Sequence, residues 1–175
     1  MDIRCLPGTT IEAVFDGPDA AGRILGPIFL TEGLVLSQVV SLTGLSAHVL
    51  QNWVKRGFVE HPVGKKYSRA QFCRIAMFNF LKDSLQLDCV ARLLAHAEWD
   101  NLMDSYGLYC AFVDAIAIGK GSRDPEIAAQ AALANYQEPY PGARQRVATV
   151  LKVMLILYAA TRLRKQADVL LGEIG

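Results

Sequence analysis

The sequence predicts an all-α protein in which one small β-wing interrupts the first half and helices alone build the second. Three observations carry this. Apolar residues recur at helical spacing in one segment after another from Leu36 onward. Apart from Gly107 and Pro125, which stands at a helix start, Gly and Pro from Leu36 onward fall between those segments. One stretch, 58–67, mixes apolar residues with Pro62 and Gly64 in a way that suits two short strands and a turn. The chain has 175 residues, 52% of them apolar, which suits one ordinary domain or two small ones sharing a core.

Residues 1–33 are expected to form an irregular arm with at most one short helix near 20–25, because Gly8, Gly17, Pro18, Gly22, Gly26 and Pro27 punctuate them. Ser37 is placed to cap a helix ending near Leu42, with Val39 and Val40 turned inward. Gly44 can take the left-handed conformation that a tight turn between helices needs. Ser46 then caps a helix over 47–56 with Val49, Leu50 and Trp53 on its inner side, and Gly57 stops it. The wing follows, with its turn at Val63 to Lys65. Ser68 caps a helix over 69–83 that is apolar on more than one side, with Phe72, Ile75, Ala76 and Phe80 inward and Met77, Phe78 and Leu81 beside them. Such a helix should touch two layers, or another subunit. Further helices are expected over 87–95, 101–118, 124–135 and 143–171, with a turn at Gly119-Lys120-Gly121-Ser122 and a loop around Pro139 and Pro141.

Charge is unevenly spread. Between Ser37 and Lys82 stand seven basic residues (Lys55, Arg56, Lys65, Lys66, Arg69, Arg74, Lys82) against one acid, Glu60, a local net charge of +6. The whole chain carries +1, so the remainder carries −5. A basic segment of this kind points to nucleic acid. Two short helices about a tight turn, followed by a basic wing, have the layout of a winged helix-turn-helix. There the second helix lies in the major groove and the wing runs along the backbone. The outward positions of that helix are Ala47, His48, Gln51, Asn52 and Lys55. Gln and Asn can pair with adenine edges, and Lys with guanine acceptors, so His48, Gln51, Asn52 and Lys55 are the expected base contacts. Ser37, Arg56, Lys65, Lys66, Tyr67 and Arg69 are the expected phosphate contacts, which position without specifying.

Other chemistry is poorly supported. Cys5, Cys73, Cys89 and Cys110 include no close pair, His48, His61 and His96 lie in different elements, and no Gly-rich phosphate loop has the required spacing. No catalytic residue, metal or cofactor is expected, nor any membrane span, since the longest C-terminal apolar run is short and ends before Arg162. A cytoplasmic protein is the expectation.

The turn Thr43-Gly44-Leu45, the stretch Lys55-Arg56-Gly57-Phe58-Val59 and the run Lys66-Tyr67-Ser68 together resemble the MerR family of transcriptional regulators. Arg74-Ile75 and Leu85-Gln86-Leu87-Asp88 before Val90 continue the likeness. The stretch from Leu50 to Val59 with Lys65 to Ser68 is more closely similar to an uncharacterised bacterial family that joins this MerR-like unit to a helical C-terminal part. The resemblance implies a DNA-binding unit at 34–97 and a helical dimerisation or effector part at 98–175. It departs at Gln51, Trp53 and Lys65-Lys66, and the long coiled coil expected next is replaced by shorter helices. The function it implies is a sequence-specific DNA-binding transcriptional regulator, acting on double-stranded DNA as a homodimer, with an effector received at the helical part. The alternative is a protein–protein interaction module that keeps the fold without DNA readout.

Overall fold

The computed structural model of the protein describes residues 3–14, 17–119 and 124–174. Among them are eight helices and two small antiparallel sheets of two strands each. The order is β1 (Ile3–Cys5), β2 (Glu12–Val14), α1 (Ala20–Ile28), β3 (Leu34–Val35), α2 (Leu36–Thr43), α3 (Ala47–Lys55), β4 (Lys66–Tyr67), α4 (Arg69–Leu81), α5 (Leu87–Glu98), α6 (Ser105–Ile118), α7 (Pro125–Ala132) and α8 (Ala143–Ile174). The fold is therefore predominantly helical with minor β content, as expected at that level.

The N-terminal stretch departs from the sequence reading. It holds a hairpin, with Ile3 opposite Val14 and Cys5 opposite Glu12, whose glycine-rich connection hid the short strands. It also enters the core, for Leu6, Ala20, Ala21 and Leu25 are fully buried. Four hydrogen bonds to α4 and α6 fix it. Tyr109, fully buried, donates its hydroxyl to Pro7 O at 2.8 Å. Asn79 Nδ2 donates to Gly8 O at 2.9 Å. Asp114 accepts from the Ala20 N–H at 2.9 Å, and also from the Asp19 N–H, so a carboxylate on α6 caps α1 from outside its own chain segment.

Local signals explain most boundaries that follow. Gly44, at φ 69, ends α2, and Ser46 Oγ accepts from the Val49 N–H at 3.3 Å to start α3. Ser37 is not the cap expected of it. The helix begins one residue earlier, the Val35 N–H is taken by Gln38 Oε1 at 2.9 Å, and Ser37 lies exposed inside the first turn. The turn at Val63 to Lys66 has Gly64 at φ 57 and Lys65 at φ 62, with the Lys66 N–H donating to Val63 O at 2.9 Å. Two left-handed residues in succession give a turn whose twist suits paired strands. Beyond it Lys66 and Tyr67 pair with Val35 and Leu34.

α6 starts at Ser105 instead of residue 101, because Asp100 and Asn101 adopt left-handed conformations (φ 54 and 55) that a helix cannot contain. Asp104 Oδ1 then caps it, accepting from the Gly107 N–H at 2.7 Å. Asp124 caps α7 in the same manner, with Pro125 at the first helical position. The expected turn at Lys120-Gly121-Ser122 lies outside the described residues.

One core runs through these elements. α4 is its axis, burying Phe72, Cys73, Ile75, Ala76, Met77, Phe78 and Leu81 around most of its circumference. Trp53 and Phe58 reach Phe78 from the α3 side, with ring centroids 5.7 and 5.5 Å away. Phe80, Phe112 and Tyr158 meet on the other side at 5.5 to 6.1 Å, tying α4 to α6 and α8. Among the described residues no helix is long and apolar enough to cross a membrane.

Gly8 is the tightest backbone approach in this packing: it sits at φ +74, and an added Cβ would fall 1.9 Å from Ala76 O on α4. Gly8→Ala should therefore cost at least about 3 kcal/mol in urea unfolding, through left-handed strain and forced separation of hairpin and helix. Gly17→Ala, at φ +65 but facing open space, should cost only about 1 kcal/mol.

Candidate functional site

The exposed side of α3 follows from its buried side. Leu50, Trp53 and Val54 turn inward, which leaves His48, Gln51, Asn52 and Lys55 exposed. These four stand three, four and seven residues apart, so they share a single helix face. All four expected base-contact residues are thus brought together. Beside them lies a cleft of about 550 Å³ between α3 and the turn at Gly64-Lys65. Gln51, Lys55, His61 and Lys65 line it together with Leu36, Val54 and Tyr67. Lys55 and Lys65 therefore flank one depression, and among the described residues neither carries an ion pair.

The expected phosphate contacts are less uniform. Lys65 projects at the turn. Lys66 is exposed but has its Nζ 3.8 Å from Glu32. Arg56 lies 3.8 Å from Asp88 at the start of α5, with its guanidinium 4.5 Å from the centre of the Phe58 ring. Both pairs are solvent-exposed and weak, so both cations remain exchangeable. Tyr67 is only 4% exposed: it packs beneath the turn, and burial raises its hydroxyl above the usual range. Arg69 is the clearest departure. Its guanidinium stacks 3.7 Å from the centre of the Tyr106 ring on α6, which draws it toward the α4–α6 seam and away from α3.

Sequence reasoning missed the residues that hold this face in position. Gln71, on α4, makes four hydrogen bonds. With Ser68 it forms a capping box, Ser68 Oγ accepting from the Gln71 N–H at 3.2 Å and Gln71 Oε1 accepting from the Ser68 N–H at 2.8 Å. Its Nε2 then donates to Glu60 O at 3.1 Å and His61 O at 3.0 Å, which hooks the irregular segment before the Gly64-Lys65 turn onto α4; that segment forms no strand of the expected wing, since β4 pairs with β3. The spacing Ser68-x-x-Gln71 before an apolar run was the signal available in the sequence.

Arg74 does the equivalent work one turn further along. Its Nε donates to Phe58 O at 2.6 Å, and its NH1 donates to Glu98 Oε2 at 2.6 Å and Oε1 at 2.9 Å. Ser105 also donates to Glu98. The basic count of the segment therefore overstates what a partner would meet, since Arg74 is consumed inside the fold.

The seam between α4 and α6 holds no reactive thiol. Burial pushes the Cys110 thiol up to about 11 and the Cys73 thiol well above its ordinary value, so both stay protonated near neutrality. Burial likewise raises Tyr106 to about 12. Among the described residues no group of three or more His, Cys, Asp or Glu could hold a metal ion.

Gln71→Leu should loosen the segment before the Gly64-Lys65 turn by orphaning two carbonyls and the Ser68 N–H, costing about 2 kcal/mol in urea unfolding. Amide exchange at Lys66 should accelerate more than exchange in the centre of α4; equal acceleration would show that Gln71 does not serve that segment in particular.

Residues 31–112, just under half of the chain, match the family model described as Domain of unknown function (DUF1836). The match runs from the residues before β3 through Phe112 in α6, and so includes the whole exposed α3 face, the hairpin turn and the residues that pin them. No curated protein and no solved structure matches the chain.

Proposed function

We propose that the unit from β3 to α5 is a MerR-like winged helix-turn-helix and that the protein is a sequence-specific DNA-binding regulator. The observation that carries this reading is the single exposed face of His48, Gln51, Asn52 and Lys55 on α3, next to a left-handed turn tipped by Lys65. A helix of this size fits the major groove, and a projecting turn beside it meets the adjacent backbone. Gln51 and Asn52 offer paired donors and acceptors to adenine edges, and Lys55 reaches guanine or phosphate. Lys65 and Lys66 form the wing contact to phosphate, with Arg56 a further contact once it leaves Asp88. Tyr67 and Arg69 are withdrawn from the contact set, the first because it is buried and the second because it stacks on Tyr106. One such unit has a small footprint, so the regulator would act as a homodimer on an inverted repeat.

A second reading has one observation in its favour. The cleft beside α3 is partly apolar, with Leu36, Val54 and Tyr67 between the basic residues. An acidic, amphipathic protein segment would fit such a surface as a protein–protein interaction site.

The test is selection of bound duplexes from a random DNA pool at near-physiological salt. Enrichment of an inverted repeat supports the regulator. Weak binding at low salt only, with no enrichment, supports the interaction module. On a selected site, Gln51→Ala or Asn52→Ala should cost about 1–3 kcal/mol and relax preference at one position. Lys65→Ala should weaken all sites alike and flatten the salt dependence by about one charge. Lys65→Glu binding as well as the wild-type chain would sink the DNA reading.

A further inference from the structure

Among the described residues, no other element packs along the second half of α8. Leu155 is its last buried residue, and from Arg162 to Ile174 every residue is exposed. Tyr158 turns toward the body, packing on Phe80 and Phe112. On the opposite side of the helix runs an apolar stripe: Ile156, Ala160, Leu163, Ala167, Leu170 and Ile174. Their spacing alternates four and three, which is the heptad pattern of a helix-pairing seam. The large members are bare, Ile156 at 55%, Leu163 at 65%, Leu170 at 59% and Ile174 at 82% exposure. A helix of this length is marginal in water without packing.

We propose that this stripe pairs with the same stripe of a second copy of the chain, antiparallel, about a two-fold axis between Ala160 and Leu163. The sizes of the side chains decide the orientation. The position shared by Ile156, Leu163 and Leu170 is always large, and the intervening position holds Ala at 160 and 167. Antiparallel pairing sets each large residue against a smaller one: Ile156 against Ala167 of the second copy, Leu163 against Ala160, and Leu170 against Val153. Alternating large and small residues across facing positions fills the layers. Parallel pairing would stack Leu on Leu and Ala on Ala, leaving gaps at each Ala layer.

Area agrees with this arrangement. The helix strip alone is ~28 Å long and ~10 Å wide on each copy, about half of the ~1,200 Å² that a stable interface buries. The remainder is at hand. A groove of about 1110 Å³ between α6, α7 and α8 borders the stripe, with Ile156, Ala160 and Leu163 on its lip and Ile116, Ala128 and Leu155 inside. The second copy's helix would rest against that apolar flank.

This inference rests on the homodimer proposed above and not on DNA readout, and the test separates the two. Light scattering of the full chain after size exclusion should show a dimer. Leu163→Glu lies outside the core, so it should leave the circular dichroism spectrum unchanged while raising the self-association Kd at least 100-fold. The double variant Ile156→Cys with Ala167→Cys should give a cross-linked dimer under mild oxidation beyond the wild-type background, and Ala167→Cys alone should not. A dimer that Leu163→Glu leaves intact would overturn this interface while the homodimer stands. Cross-linking by Ala167→Cys alone would overturn the antiparallel orientation. A monomeric wild-type chain would overturn the pairing altogether, leaving the duplex selection to judge DNA binding by itself.

Discussion

The fold depends on α4 having almost no solvent face. A helix buried on most sides must find partners for each polar side chain it carries, because an unpaired polar group in the interior costs more than the hydrogen bond it forgoes. α4 carries three, Gln71 in its first turn, Arg74 in its middle and Asn79 near its end, and each takes backbone carbonyls from loops or a helix end. Asn79 holds Gly8 O and Thr43 O, Arg74 holds Phe58 O, and Gln71 holds Glu60 O and His61 O. The demand of the helix and the demand of the loops satisfy each other. No buried side-chain nitrogen or oxygen is left without a partner among the described residues.

The same constraint sets the face presented to a partner. α3 leans on Phe78 through Trp53, the segment before the Gly64-Lys65 turn is hooked through Gln71, and the stretch between them is held through Arg74. The relative placement of Lys55 and Lys65 is thus referred to one rigid element rather than to loop conformation. Preorganisation of this kind lowers the ordering cost of binding. It also divides the basic residues into two groups. Arg74 is spent inside the fold and Arg69 stacks on Tyr106, whereas Lys55 and Lys65 are exposed and, among the described residues, carry no ion pair.

The helices were legible where local chemistry decides them. Gly44, Ser46, Ser68 and Asp124 end or begin helices for reasons contained within a few residues, and the outward positions of α3 follow from its apolar spacing. The turn at Gly64-Lys65 was legible for the same reason. What was hidden is long-range. The strands β1 and β2 are three residues each, too short for a pattern, and depend on docking against α4 and α6. The charge count treated the basic residues of 37–82 as a surface, but their acidic partners, Glu32, Asp88 and Glu98, all lie outside that stretch. Arg69 reads as a phosphate contact because nothing in the sequence says that Tyr106 lies under it.

The anchoring of the N-terminal segment has a consequence for how the chain is made. Gly8 waits for Asn79, 71 residues away; Ala20 waits for Asp114, 94 away; Pro7 waits for Tyr109, 102 away. During synthesis Leu6 and Leu25 emerge before α4 and α6, the helices that shelter their segment. Helices α2 and α3 can form in that interval, but the core that fixes them closes only after a late segment returns to an early one. Such closure is slow compared with local helix formation, and the waiting segment is open to wrong partners. The protein's vulnerable moment is thus the delay between the emergence of its first apolar residues and the arrival of the helix that shelters them.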